Sequence, residues 1–358
     1  MSMKPQWDGK LEDFPLERYP DYRPGLPPDW RALASKPFLD ECAYIWGKRW
    51  GSMGIGKLRE VALIKPTDRE GNPLWGKAPE FFLLRYKTKI DVDHLIRNHE
   101  EYAQLLESLD IKVHWMPITD CMGAYGPMRK LFMAQEALIT PGGAILPRFG
   151  HGSFKRGLER ELQRFLLSID CPILFSVHGT GICEPGPMFV PVAEGVFVTA
   201  NSCSANSEGN RQVSEVLMRV GAKEIHVMNL PTIHKTFEAG GEFHTDMVLT
   251  AVDDRKALIY PDNLDWATYE WLLDHGFELI EIPKSEHHAF VPANLIVVEP
   301  GVVIMPRKAV QTTSRLEAAG VKVINFDSSG IMQGGVNGLR CITMYLRRDP
   351  GPTLSGSN

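Results

Sequence analysis

Apolar positions along most of the chain fall into short β-branched runs, each separated from the next by a turn or by a stretch with helical spacing, and the order of these pieces recurs. REVALIKP reads as a strand and FFLLRYKTKI as its partner. Asp91 then caps a helix over 91–110, in which Leu95, Tyr102, Leu105, Leu106 and Leu109 share one face, and KVHWMPI is the strand that follows. The second unit runs KLFMAQEALI, the turn TPGG, AILPRF, a helix in SFKRGLERELQRFLLSI, then PILFSV. In the third, MFVPVA and VFVTAN flank Glu194-Gly195, SEGNRQVSEVLMRVG is helical and EIHVMNL is the next strand. The fourth consists of DMVLTAV, DDRK, ALIYP, the helix LDWATYEWLLDHG and ELIEIP. The fifth has NLIVVE, VVIMP, the helix KAVQTTSRLEAAG and KVINF. Gly221, Gly276 and Gly320 stop three of these helices in the same way.

A supersecondary unit repeated at about 50 residues implies an array that stacks in a line or closes around a centre. A linear stack needs polar end caps, which the pattern lacks. The C-terminal run CITMYL can pair with the first unit and close a ring. The expected fold is therefore α/β, five pseudo-symmetric ββαβ units around a central funnel, the natural place for a site. Residues 1–55, rich in Pro, Trp and Tyr, read as an arm packed on the body. Residues 56–349 form the propeller and 350–358 a tail. Trp30, Trp46 and Trp50 are expected to pack the arm on the body.

Composition narrows the function. In 358 residues, 44% hydrophobic and 23% charged, a disordered or fibrous chain is excluded. A net charge of −5 with no basic cluster argues against nucleic-acid and anionic-membrane partners. The apolar runs are too short to span a bilayer, and MSMKPQWDGKLEDF is too polar for a secretory signal, so a cytoplasmic location is expected. None of the six Cys form a C-x-x-C pair, and H-E-x-x-H, phosphate-loop and G-x-G-x-x-G patterns are absent, so neither metal nor cofactor is expected. A small-molecule substrate is the expected partner, with a homo-oligomer left open.

Three segments place reactive side chains at strand ends or Gly-rich turns. In GGVNGLRCITMYLRRD, Cys341 follows a glycine-rich loop that includes Gly335 and Asn337, the position a nucleophile needs. In GGEFHTDMVLTAVD, His244 and Asp246 are two residues apart. On a strand this sets an imidazole beside a carboxylate, a general acid/base arrangement. In HGTGICEPGPMF, Glu184 sits on a Gly- and Pro-rich turn. Cys121, Cys183 and Cys203 lack such a setting.

These segments, in this order and on this repeat, resemble the guanidino-group-modifying superfamily of arginine deiminases, dimethylarginine dimethylaminohydrolases and glycine amidinotransferases. HTDMVLTAVDDRKALIYP is similar to its H-x-D-x-V segment and the hairpin after it, RCITMYLRRD to its catalytic Cys region, CEPGPMF to its E-G-G-D turn, and LFMAQEALITPGG to F-x-R-D with the hairpin that follows. The resemblance spans residues 58–349 and implies the five-bladed α/β propeller called the pentein fold. It further implies Cys341 as nucleophile, His244 as general acid/base, and Glu184 and Asp246 as carboxylate partners, in a Cys-dependent hydrolase acting on a guanidine- or amidine-like C–N bond through a covalent thiouronium-type intermediate. An amidinotransferase passing the group to an amine, and a non-catalytic propeller binding protein, are the alternatives. Gln135 stands where the family has an Asp, Pro187 where it has another, and Arg340 where His or Asn precedes the nucleophile, so plain arginine is not the expected substrate. Gln135, Gly335, Asn337 and Arg340 are expected to contact substrate, with Arg148 or Arg156 as a fork for a substrate carboxylate.

Overall fold

The structure is a computed structural model that describes residues 10–13, 15–19, 21–32, 37–46, 50–65, 91–116, 134–150, 157–231, 244–332 and 338–354. Among the described residues, fifteen strands form five separate three-stranded sheets. β1 (Leu58–Ile64) lies between β15 (Met344–Arg348) and β2 (Lys112–Met116). The other four sheets are consecutive in sequence. They are β3 (Leu138–Thr140), β4 (Gly143–Leu146) and β5 (Ile173–Ser176); β6 (Val190–Ala193), β7 (Val196–Asn201) and β8 (Glu224–Asn229); β9 (Leu249–Asp253), β10 (Lys256–Ile259) and β11 (Glu278–Glu281); and β12 (Ile296–Glu299), β13 (Val302–Pro306) and β14 (Lys322–Phe326). In every sheet the middle strand is antiparallel to the first strand and parallel to the third. The antiparallel step needs only a tight turn, whereas the parallel step needs a crossover, and each crossover carries a helix.

Those helices follow an arm helix, α1 (Phe38–Trp46). They are α2 (Val92–Ser108), α3 (Leu158–Ser168), α4 (Ser207–Arg219), α5 (Trp266–Asp274) and α6 (Val310–Ala318). Asp91 caps α2 through its side chain, which accepts from the His94 amide at 3.0 Å. The five crossover helices end alike, on a residue with positive φ: Asp110 (60°), Asp170 (61°), Gly221 (112°), Gly276 (74°) and Gly320 (81°). Glycine adopts that conformation freely and aspartate tolerates it, so the same C-terminal turn is built from two residue types.

The ring closes as the repeat predicts. β15 pairs with β1, with Ala62 opposite Met344, and takes the edge expected for FFLLRYKTKI; that segment lies outside the described residues. First strands of neighbouring units lie against one another, β15 beside β3, β6 beside β9 and β9 beside β12. Their apolar side chains, with those of the middle strands, form the buried core. The end of the segment read as an arm belongs to that core. Trp50 is 2% exposed and its indole N–H donates to the Asp170 carbonyl at 2.9 Å, while Met53 and Ile55 are buried; Trp30, in contrast, is 82% exposed. The tail is tied down as well, since Gly351 donates to Glu194 Oε2 at 2.8 Å. Among the described residues no helix is long and apolar enough to cross a membrane.

Three strand expectations need correction. Ala134–Glu136, Thr245–Met247 and Arg340–Ile342 are single 3-10 turns, and strands start only afterwards, at Leu138, Leu249 and Met344. Each segment sets two polar or reactive side chains on adjacent residues, Gln135 and Glu136, Thr245 and Asp246, and Arg340 and Cys341. A strand, whose side chains alternate between two faces, could not deliver them.

Candidate active site

Each unit places one polar segment just before its first strand. Gln135 and Glu136 precede β3; Glu184, at the start of the one-turn helix Pro185–Met188, precedes β6. His244 and Asp246 precede β9, Asn294 precedes β12, and Arg340 and Cys341 precede β15. Strands at the axis thus deliver polar groups from all five units to one place. The groups are buried: Glu184, Asp246 and Asn294 are 0% exposed, and Glu136, Gln135, Arg340 and His244 only slightly more. Cys341 is half-buried, as a group that must meet a ligand has to be.

Two sets of contacts organise these side chains. In the first, His244 Nε2 lies 3.0 Å from Glu184 Oε2, and one atom from each of Glu136, Glu184 and His244 lies within 4.8 Å of the others. Two carboxylates with one imidazole create a small recess for a cation or an N–H group. The same three atoms are the described residues that could hold a metal ion. The 3.0 Å separation of His244 and Glu184 is that of a direct hydrogen bond.

In the second set, Asp246 is the hub. Its Oδ2 accepts from Gln135 Nε2 and, at 3.0 Å, from Asn294 Nδ2, and it lies 3.3 Å from Arg340 Nε. Asn294 in turn holds the nucleophile candidate: its Oδ1 accepts from the Cys341 amide at 3.1 Å and is 3.2 Å from Sγ, and its carbonyl accepts from the Arg340 amide at 3.3 Å. Arg340 also reaches the Gly186 carbonyl at 3.5 Å, in the turn that carries Glu184. The hub therefore ties four of the five segments to one carboxylate.

The sequence-predicted residues divide accordingly. Cys341, His244, Glu184, Asp246, Gln135 and Arg340 are brought together. The pairing of His244 with Asp246 is replaced by a pairing with Glu184, because the 3-10 turn swings the Asp246 side chain towards Gln135 and Asn294. Arg340 faces Asp246, its Nε 3.3 Å from Oδ2. Arg148 donates to the Gly181 carbonyl at 2.8 Å and its backbone pairs with Cys183. Arg156, Gly335 and Asn337 lie outside the described residues. Cys183 is fully buried, and burial pushes its thiol pKa well up, the setting of an inert core cysteine.

Two residues escaped the sequence reading, Glu136 and Asn294. Glu136 follows the Gln135 that replaces an expected carboxylate, so the charge is displaced by one residue rather than lost. Asn294 carries no motif. It is recognisable only from its place, the end of the segment before a first strand, which in the other four units holds a site residue.

Known proteins share this architecture and sequence. Residues 261–348 match the arginine deiminase family model. The 2-nitroimidazole nitrohydrolase of Mycobacterium sp. (strain JS330) is 30% identical over 367 aligned residues, covering 97% of this chain and 94% of that protein. Among solved structures, a citrulline complex of dimethylarginine dimethylaminohydrolase from Pseudomonas aeruginosa has a TM-score of 0.62 at 20% identity, covering 80% of this chain and 99% of the other. The substrate-bound N-terminal domain of ArgZ, a cyanobacterial arginine dihydrolase, has a TM-score of 0.63 at 13% identity, covering 82% and 98%. The structural matches carry the fold, the five-unit pentein propeller. With a 30% identical relative aligned along nearly its whole length, the chain belongs to the guanidino-group-modifying superfamily.

Proposed function

We propose that this protein is a hydrolase in which Cys341 displaces a leaving group from a carbon flanked by two nitrogens, with a 2-nitroimidazole as the substrate class. The observation that carries the reading is the buried recess of Glu136, Glu184 and His244, tied through neighbouring segments to a half-buried cysteine. The nitrohydrolase relative supports the substrate class. The C2 carbon of a 2-nitroimidazole is bonded to two ring nitrogens and to the nitro nitrogen, so it is electron-poor in the same way as a guanidinium carbon. The ring is neutral and carries one N–H, which asks less of the site than the five N–H donors of arginine. Glu136 accepts that N–H in this reading.

Cys341 gives up its thiol proton to solvent, the thiolate attacks C2, and the bond from C2 to the nitro nitrogen breaks with its electron pair, releasing nitrite. Water then adds to C2 as His244 takes its proton, the S–C2 bond breaks, and the thiolate returns with an imidazol-2-one as product. Glu184 orients His244 and stabilises its charged form. Gln135, Asn294 and Arg340 act through Asp246, as positioning residues.

The test is to incubate the protein with 2-nitroimidazole and, separately, with arginine, dimethylarginine and simple amidines, following nitrite and ammonia or amine release. The reading predicts one nitrite per 2-nitroimidazole consumed, and none with Cys341→Ala. Turnover of guanidines without nitrite release contradicts the substrate class. No turnover in any arm contradicts the hydrolase.

A further inference from the structure

Beside the Asp246 hub lies a small, partly open cavity of about 40 Å³ that shares Gln135, Gly186 and Arg340 with the site just described. Cys341, His244, Glu184 and Asp246 do not line it. Among the described residues its wall contains three arginines, Arg340, Arg347 and Arg348, with Tyr345 and Ser52, and no aspartate or glutamate.

Two of the arginines have their counter-charges outside the cavity. Arg340 faces Asp246 at 3.3 Å, and Arg347 Nε donates to Glu60 Oε1 at 2.8 Å. Arg348 differs. It is 8% exposed, and among the described residues no carboxylate neutralises it. Its Nη1 donates to the Gly56 carbonyl at 2.8 Å and its Nη2 to the Val297 carbonyl at 2.6 Å, while its guanidinium carbon lies 4.3 Å from the centre of the Tyr345 ring. Arg340 stands over the same ring at 5.2 Å. Burial holds the Arg348 pKa down to about 10, and the neighbouring Arg340 acts in the same direction. Carbonyl dipoles and a ring face supply only partial negative charge, so a full cation is left buried beside a cavity whose lining offers no anion.

We propose that this cavity binds a small planar oxyanion, a carboxylate of formate size or nitrite, with Arg348 as its principal counter-charge and Arg347 and Arg340 beside it. Guanidinium groups pair with two-oxygen anions as a fork, which selects this ligand shape over a spherical ion. Nitrite has added meaning if the proposed reaction is right, because it is the group released there; the anion site itself does not depend on that reaction. Arg340 belongs to both the cavity and the Asp246 hub, so an oxyanion that competes for it is felt next to Cys341.

Titration calorimetry with sodium formate and with sodium nitrite, at ionic strength held constant with sodium chloride, tests this on the full-length protein. Saturable binding at one site is expected for at least one of the two, together with a rise in Tm at saturation. The tighter of the two identifies the source of the ligand. Arg348→Lys keeps a cation but loses the fork, and is expected to weaken binding about tenfold or more. Arg347→Gln, whose side chain is 35% exposed at the cavity edge, keeps the protein folded if Arg348→Lys does not, and is expected to weaken binding severalfold. Cys341→Ala should bind as the wild type does. Absence of saturable binding for both anions up to 100 mM (roughly the weakest affinity worth about 1.4 kcal/mol) overturns the proposal. So does binding that is unchanged in the folded arginine variants, or binding abolished by Cys341→Ala, which would place the anion at the cysteine.

Discussion

The carboxamide of Asn294 spans Cys341 and Asp246: its Oδ1 accepts from the Cys341 amide at 3.1 Å and sits 3.2 Å from Sγ, and its Nδ2 donates to Asp246 Oδ2 at 3.0 Å. An amide oxygen can only accept, so its contact with sulfur favours the neutral S–H over the thiolate. Asn294 thus holds the candidate nucleophile against the Asp246 hub. Asn294→Ala is expected to lower kcat by about tenfold or more while moving the pH midpoint of Cys341 alkylation by iodoacetamide downward. A purely structural role would lower kcat without moving the midpoint in that direction.

Glu136 and Glu184 are both buried, with carboxylate oxygens in one 4.8 Å cluster with His244. Two carboxylates that close repel each other wherever both are ionised, and Glu184 lies at hydrogen-bond distance from the imidazole. Glu136→Gln is therefore expected to leave stability unchanged or raise it, while kcat/KM falls by about tenfold or more through the lost charge-assisted contact with substrate. Denaturant unfolding and steady-state kinetics on the same preparation separate the two effects.

Gly186 lets two segments of the site approach. A Cβ there would run into the Gln135 carbonyl oxygen and crowd that of Ala137. Both obstacles are backbone, so they cannot swing aside. Gly186→Ala should cost about 1–3 kcal/mol of stability and reduce activity further by pushing Gln135 off Asp246. A wild-type urea midpoint in this variant would contradict the close approach.

His99, on α2, is 1% exposed, and burial pulls its pKa from 6.5 down to about 4. The unfolded chain therefore binds a proton between those values that the folded chain refuses. Stability from this residue is complete above pH 6.5 and is lost as pH falls towards 4, amounting to about 2 kcal/mol by pH 5. His99→Leu should flatten the fall in unfolding free energy between pH 7 and pH 5. Equal slopes in the two proteins would rule out the neutral buried imidazole.

The repeat was legible because strand and helix have different apolar periods, and because the helix stops recur as Gly221, Gly276 and Gly320. The equivalent stops at Asp110 and Asp170 were hidden by a residue with many other uses. Cys341, His244 and Glu184 could be read from their flanking glycines and prolines, which mark sharp turns. Local pattern could not give the partner of His244. Periodicity places Asp246 beside it, but a single 3-10 turn reverses that, and Glu184 comes from 60 residues away. Asn294 was illegible for the same reason: its meaning lies in contacts with residues 47 and 48 positions distant, inside an apolar run that reads only as the approach to a strand.

A covalent bond from Cys341 to a carbon between two nitrogens is the step on which the proposed reaction depends. Intact-protein mass spectrometry after acid quench, with wild type and Cys341→Ala each mixed with 2-nitroimidazole, tests it most directly. The account predicts a wild-type adduct with the mass of the imidazole ring less its nitro group, localised to the peptide containing Cys341, and no adduct on the variant. Nitrite release by the wild type with no adduct at any quench time, or undiminished release by Cys341→Ala, would contradict it.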